Sequence, residues 1–298
     1  MNIKNFLENK FHLLFFVLTF TKNFLFSNLK IFFIAKINGL KLFNRKILKF
    51  KKSDTLFILA GGESINEITE TQWNTIKNSD SIGINRWLIH KFVPTFLLIE
   101  GGKKQNIKKE IDSGIKPNSF NYKLWELSKK RCSNLILIVR AIDNLVLDFK
   151  LLKKSFSKIY YIFNNTPSNN NLLSLFKSYN LLKKFNLHNF ISAPPGYRGS
   201  VSYALSLGLS MGYKNIVLCG IDMQGINFWE TNNAKNIFLK PDKNDKINNI
   251  LTTVNSDIEL YNFKNIIYMT DELLTKKDQK IFVNSKKSLL SEKLEVYW

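Results

Sequence analysis

The sequence is poor in the residues that build metal and redox sites. It holds two cysteines, Cys132 and Cys219, and three histidines, His12, His90 and His188. The cysteines lack metal-ligand spacing and sit in or beside apolar runs, so they read as buried free thiols, as in a reducing compartment. The histidines stand in unrelated places, which argues against a histidine metal site. Acids are also scarce: 23 Asp and Glu face 44 Lys and Arg, a formal charge of +21 over 298 residues. An excess of that size points to an anionic partner, whether membrane surface, nucleic acid or phosphorylated substrate. The longest apolar run, residues 12–20, is about half of what a membrane-spanning helix needs. No internal repeat is visible. What is present is globular: 45% hydrophobic and 22% charged residues, enough chain for one large α/β domain plus an appendage, or for two small domains.

The most informative stretch is 197–222, YRGSVSYALSLGLSMGYKNIVLCGID. Val201, Ala204, Leu205, Gly208 and Met211 recur at helical spacing, and Tyr203, Leu207 and Leu209 fill the other faces, so the helix is expected to be buried nearly all round. Gly212 ends it. The run 216–219 is then a buried parallel strand, with Gly220 and Asp222 just past its carboxyl end, the edge where open α/β sheets bind ligands. The helix opens at Gly199 and Ser200, where free N–H groups and the positive end of the dipole gather, with Arg198 beside them. An anion site between Gly199-Ser200 and Asp222 is one reading; a plain turn and buried helix is the other.

Residues 1–52 differ from the rest. Phe and Leu runs alternate with ten Lys and one Arg, against the single acid Glu8. No small-residue cleavage site follows the apolar run, as a signal peptide would require. The pattern fits a segment lying on an anionic membrane surface at the cytoplasmic face, aromatics inserted and lysines at the headgroups. A basic helical pair packed on the domain or on a partner is the competing reading. Nucleic acid is not expected as a partner, because the charge sits in an apolar segment and not on a polar basic face.

From residue 53 strands alternate with helices. TLFILA (55–60) is a buried strand ending in Gly61-Gly62, and Ser64 with Glu67 has capping-box spacing. Only two glycines stand there, short of a full dinucleotide fingerprint. Further strands are expected at 81–84, ending at Asn85-Arg86-Trp87, at 95–99, ending at Glu100, and at 135–139, 159–163 and 266–269. Helices are expected at 172–185 and 250–263, and a long polar binding loop or lid at 224–249. The whole reads as a Rossmann-like, doubly wound, mainly parallel sheet with helices on both faces, spanning 53–298.

The blocks LFILAGGESI, IGIN, RGSVSYALSLGLSMGYKNIVLCGID and NSDIEL together resemble the bacterial sialyltransferases of glycosyltransferase family 42. They also resemble the MptE-like domain family, which includes flagellin-modification accessory proteins. The first resemblance implies a cytidine-nucleotide site in which Gly62 and Ser64 stand in the first turn and Asn85 follows the second strand. Gly199-Ser200 and Gly220-Ile221-Asp222 match its later blocks. The sequence departs from that pattern at Gly61, Glu63 and Glu100, at Gln224 in place of a phosphate-binding tyrosine, and at Thr252 in place of the histidine base. A threonine hydroxyl is too weak a base for a sugar alcohol.

The expected function is therefore a glycosyltransferase using a nucleotide-activated sugar, of CMP-sialic type, on a surface glycan or lipid-linked acceptor. Gly62, Ser64, Asn85, Arg198, Gly199, Ser200, Gly220 and Gln224 would hold the donor, and Asp222 or His188 would act in catalysis. No resident metal is expected, with Mg²⁺ left open. The alternatives are an MptE-like diphosphokinase, whose Mg²⁺ would need clustered carboxylates drawn from Asp222, Glu100, Asp257 and Glu259, and a non-catalytic relative of the fold.

Overall fold

Every central strand is buried on both faces, and that dictates the layering. The computed structural model describes residues 28–100, 119–140, 149–163, 176, 179–180, 182–184, 186–189, 191–192, 194–196, 199–223, 226–241 and 257–298, with side chains left aside at 119–122, 149–151 and 257–262. In chain order the helices are α1 (Asn28–Ile37), α2 (Glu70–Asn78), α3 (Ser119–Ser128), α4 (Phe149–Ser155), α5 (Ser200–Ser210) and α6 (Asp257–Leu274). The strands are β1 (Lys41–Leu42), β2 (Thr55–Leu59), β3 (Asp80–Ile84), β4 (Phe96–Glu100), β5 (Ile136–Arg140), β6 (Lys158–Tyr161), β7 (Asn215–Cys219), β8 (Lys280–Val283) and β9 (Glu295–Val296).

They form one nine-stranded sheet in the order β1-β6-β5-β4-β3-β2-β7-β8-β9, and every neighbouring pair is parallel. From β2 the chain steps outward through β3, β4 and β5 to β6. It then returns to the other side of β2 as β7 and continues to β8 and β9. The order reverses between β2 and β7, which is the switch point of a doubly wound fold. Leu56 and Ile58 face one core layer with Leu205, Leu209 and Ile266. Phe57 and Leu59 face the other with Ile31, Ile76 and Leu124. Strands buried this way need apolar residues at every position, not at alternate ones.

Several elements differ from the sequence expectation, among them the helix expected at 250–263, which stands at Asp257–Leu274. Residues 266–269 are not a strand: they lie inside α6. Phe263, Ile266, Ile267, Thr270, Leu273 and Leu274 are buried, and that three-to-four spacing is a helix stripe which a short Ile-Ile-Tyr-Met run conceals. The final strands are β8 and β9, in the tail. The capped helix also falls one turn later than expected. Ser64 lies in a 3₁₀ turn, Glu63–Glu67, whose N-cap Gly62 makes no side-chain cap. The capping box is Thr69 with Gln72, opening α2.

The described part of the basic N-terminal segment, 28–52, belongs to the same sheet and core. β1 pairs with β6, and Ile31, Ala35, Phe43 and Ile47 are buried. Among the described residues no helix is long and apolar enough to cross a membrane. Both cysteines are free and buried.

Candidate functional site

The carboxyl ends of β2, β3 and β4 converge on the N-terminus of α5. Between them lies a cavity of about 250 Å³, lined by Gly61, Asn85, Glu100, Gly199, Ser200 and Trp229 among others. Gly199, the N-cap of α5, has φ 89 and ψ 153, a backbone region essentially reserved for glycine. That geometry turns the chain so that the first N–H groups of α5 face the cavity end of the sheet, where the helix dipole favours an anion.

Three side chains knit the floor together. Asn85 closes β3 in the left-handed region at φ 52, which asparagine tolerates better than most residues. Its Oδ1 accepts from the Glu100 N–H at 3.3 Å and its Nδ2 donates to Ser200 Oγ at 3.0 Å. Ser200 Oγ in turn donates to Glu100 Oε2 at 2.7 Å. Glu100 and Arg140 are register partners on β4 and β5, and their side chains form an ion pair. The Arg140 guanidinium lies 3.4 Å from the centre of the Tyr203 ring. The carboxylate that the resemblance would count against a nucleotide is thus neutralised by the next strand. Both residues stand at the ends of five-residue strands, and only the pairing of β4 with β5 brings them together.

Aromatic residues make another part of the lining. Trp87, Phe228 and Trp229 all line the cavity. Phe228 and Trp229 come from the polar stretch after β7, which is tied back over the first glycine turn. Phe228 N–H donates to Gly61 O at 2.8 Å, and Gly62 and Asn227 form a bridge. Asn66 Nδ2 donates to Phe228 O, Phe238 N–H to Ile89 O, and Lys91 N–H to Asn236 O. The stretch expected as a loop or lid is therefore, over 226–241, a strap fastened at several points. Trp229 is 5% exposed, and its indole N–H has no acceptor among the described residues. An aromatic pair inside a polar run, Asn227-Phe228-Trp229-Glu230, was the signal for this wall.

Ser64, Gly220 and Asp222 lie at the switch point but not on the cavity lining. Ser64 N–H donates to Asp222 Oδ2 at 2.9 Å and Ser64 Oγ to Asp222 Oδ1 at 2.6 Å. Gly62 N–H donates to Gly220 O at 2.8 Å. Gly62 is required here by close approach: a Cβ would stand 2.6 Å from Gly220 O and nearer still to Asp222 Oδ2. Burial raises the Asp222 carboxyl above the ordinary range, against the lowering by its two Ser64 bonds.

His188 lies in a 3₁₀ turn with Nδ1 3.3 Å from Leu182 O. Burial lowers its pKa, and Lys276 and Lys183 lower it further. Lys276 precedes β8, at the amino edge of the sheet. The structure does not bring His188 to the cavity. His90 is buried in an aromatic cluster, stacked on Trp73 and Trp87 at 4.8 and 4.9 Å. Burial holds its pKa down at about 3, so it is a neutral core residue. Arg198, Gln224 and Thr252, and the side chains of Asp257 and Glu259, lie outside what is described. Among the described residues no three His, Cys, Asp or Glu gather to hold a metal ion.

No protein-family model matches the chain, and no curated protein matches it. Among solved structures it is similar to an α-2,3-sialyltransferase from Campylobacter jejuni in apo form, with 15% identity, TM-score 0.38 and coverage of 82% of this chain and 80% of that one. It is also similar to the monofunctional α-2,3-sialyltransferase Cst-I of the same organism, with 13% identity, TM-score 0.39 and coverage of 83% and 81%.

Proposed function

We propose that the chain is a glycosyltransferase that takes a nucleotide-activated sugar, of CMP-sialic type, into the switch-point cavity and passes the sugar to a glycan or lipid-linked acceptor. The observation that carries the reading is the junction of three features at one place: the N-terminus of α5, the Asn85–Ser200–Glu100 floor, and the Trp87–Phe228–Trp229 wall. A nucleotide has matching parts. Its phosphate suits the N–H groups at Gly199 and Ser200, and its flat base suits the aromatic wall. The sequence blocks quoted above support the same reading.

In the transfer, an acceptor hydroxyl oxygen bonds to the anomeric carbon and its proton passes to a base. The bond from that carbon to the donor phosphate breaks, with the electron pair left on the phosphate oxygen. The α5 N-terminus would stabilise the charge that develops there. Arg198 and Gln224 are proposed on the phosphate side. Gly62, Ser64 and Gly220 shape the turn beneath it. Asp222 is assigned to holding that turn through Ser64, because both of its oxygens are already engaged.

A second reading has its own observation. Among the described residues, the titratable groups lining the cavity are Arg86 and Glu100, and Glu100 is paired with Arg140. A lining whose described part offers no free base suits a non-catalytic relative that binds a nucleotide. Release of free nucleotide from CMP- and UDP-sugars, with and without Mg²⁺ and a glycan acceptor, separates the two. Turnover that requires acceptor supports the transferase, and binding without turnover supports the binding protein.

A further inference from the structure

Helix α1 carries an outward apolar face. Leu29, Phe32, Phe33 and Ile37 are 50, 41, 58 and 84% exposed, while Ile31 and Ala35, on the opposite side, are buried in the core. Leu29, Phe33 and Ile37 follow one another at four-residue steps, so they form a single ridge. Lys30 and Lys36 are exposed and flank it on either side. No acid occurs between residues 28 and 53, and Lys41, Arg45 and Lys46 beyond the helix are exposed too. A soluble surface rarely leaves four large apolar side chains together in water without a use.

We propose that α1 docks the protein on an anionic lipid surface, lying flat with Leu29, Phe33 and Ile37 inserted and Lys30 and Lys36 at the headgroups. The inference is independent of what the cavity binds. Charge complementarity selects the occupant. A second copy would bring another chain of formal charge +21, with its own lysines, against this face. Nucleic acid would satisfy the lysines but leave the ridge wet. An anionic bilayer satisfies both, since lysine stems reach the headgroup plane while the apolar ridge enters the acyl boundary. β1 and the core contacts of Ile31 and Ala35 hold the helix rigidly on the sheet, so the face is displayed on a fixed support.

The test uses the full chain with Ile37→Cys, labelled with an environment-sensitive nitrobenzoxadiazole; Cys132 and Cys219 are buried and stay unlabelled. Vesicles of phosphatidylcholine, with and without phosphatidylglycerol, are titrated in. The label should shift to the blue only with the anionic vesicles, and the response should fall at high salt. Each of Lys30→Gln and Lys36→Gln should weaken binding about fivefold. Four results would overturn the proposal: no vesicle binding, equal response to neutral vesicles, cosedimentation without any change at the label, or a blue shift that grows with protein concentration in the absence of lipid. The last would assign the face to a second copy.

Discussion

Ser200 donates its hydroxyl proton to Glu100 across 2.7 Å, joining the first residue of α5 to the last residue of β4. The contact fixes what a change at either residue does. An Asp in place of Ser200 would suit the helix dipole but would set two carboxylates side by side, so it would cost stability as well as an anion. Ser200→Ala is the cleaner change. It should reduce stability by about 1.5 kcal/mol, the worth of a hydrogen bond to a charged group at the low end, and weaken nucleotide binding several-fold. Urea denaturation and calorimetry on the same variant separate the two effects.

Arg140 should matter for nucleotide binding although it does not line the cavity. Arg140→Met leaves Glu100 without its partner, next to the place proposed for the phosphate. Loss of affinity by about tenfold or more is expected from one uncompensated partly buried charge. The double variant Arg140→Met with Glu100→Gln should recover most of it. Failure of the double variant to recover would place the phosphate away from Glu100.

Trp229→Phe keeps an aromatic wall and removes the indole N–H, which has no acceptor among the described residues. The free protein should lose about 1 kcal/mol, from the packing that the larger ring supplies in the core. Ligand affinity should fall about tenfold where the N–H meets a base carbonyl. Unchanged affinity would show that Trp229 contributes its ring alone.

Gly62→Ala probes the clasp between the first turn and Asp222. The Cβ has no room beside Gly220 O and Asp222 Oδ2, so overpacking of about 1–3 kcal/mol is expected, with loss of the Ser64–Asp222 bonds. Asp222→Asn, which keeps the shape, should lower stability while lowering turnover only through donor affinity. A collapse of kcat with KM unchanged would make Asp222 catalytic.

Acid should destabilise the fold through His90. Its pKa is about 3 in the folded chain against 6.5 unfolded. The unfolded state therefore binds the extra proton between those values. The stability is present above pH 6.5 and is lost as pH falls toward 3, at about 1.4 kcal/mol per pH unit. Asp222, raised by burial, works in the opposite sense: its proton uptake favours the folded form from its folded pKa down to 3.8. His90→Asn retains an acceptor for the Phe92 N–H, which His90 Nδ1 holds at 2.9 Å. The variant should be less stable at pH 7 but lose its His90-linked slope, read as melting temperature against pH.

The core strands β2, β4, β5 and β7 were legible because buried parallel strands are near-continuous apolar runs; β3, Asp-Ser-Ile-Gly-Ile, and β6, Lys-Ile-Tyr-Tyr, carry that signal only in part. The buried α5 and its glycine start were legible for the same reason. Residues 266–269 were not, since a four-residue apolar run fits a strand or a helix turn equally and only the spacing out to Phe263 and Leu274 decides. Within the site, Asn85, Gly199 and Ser200 were readable from strand ends and a glycine before a helix. The partnership of Glu100 with Arg140 depends on which strands are neighbours, and local sequence does not carry that. The aromatic wall depends on a loop folding back onto Gly61. Sequence spacing alone placed Asp222 near Ser200; the folded chain turns it to Ser64.

A nucleotide titration tests the central claim most directly. CMP, CDP, UDP, GDP, ADP and ATP are added in turn to the intact protein and to Asn85→Ala, and the melting temperature is followed, since a ligand of the native state stabilises it by mass action. The account predicts a saturable rise with a cytidine nucleotide, quenching of tryptophan fluorescence at the same concentrations, and loss of both in Asn85→Ala. A flat response across the panel, or a rise that survives unchanged in Asn85→Ala, would contradict it.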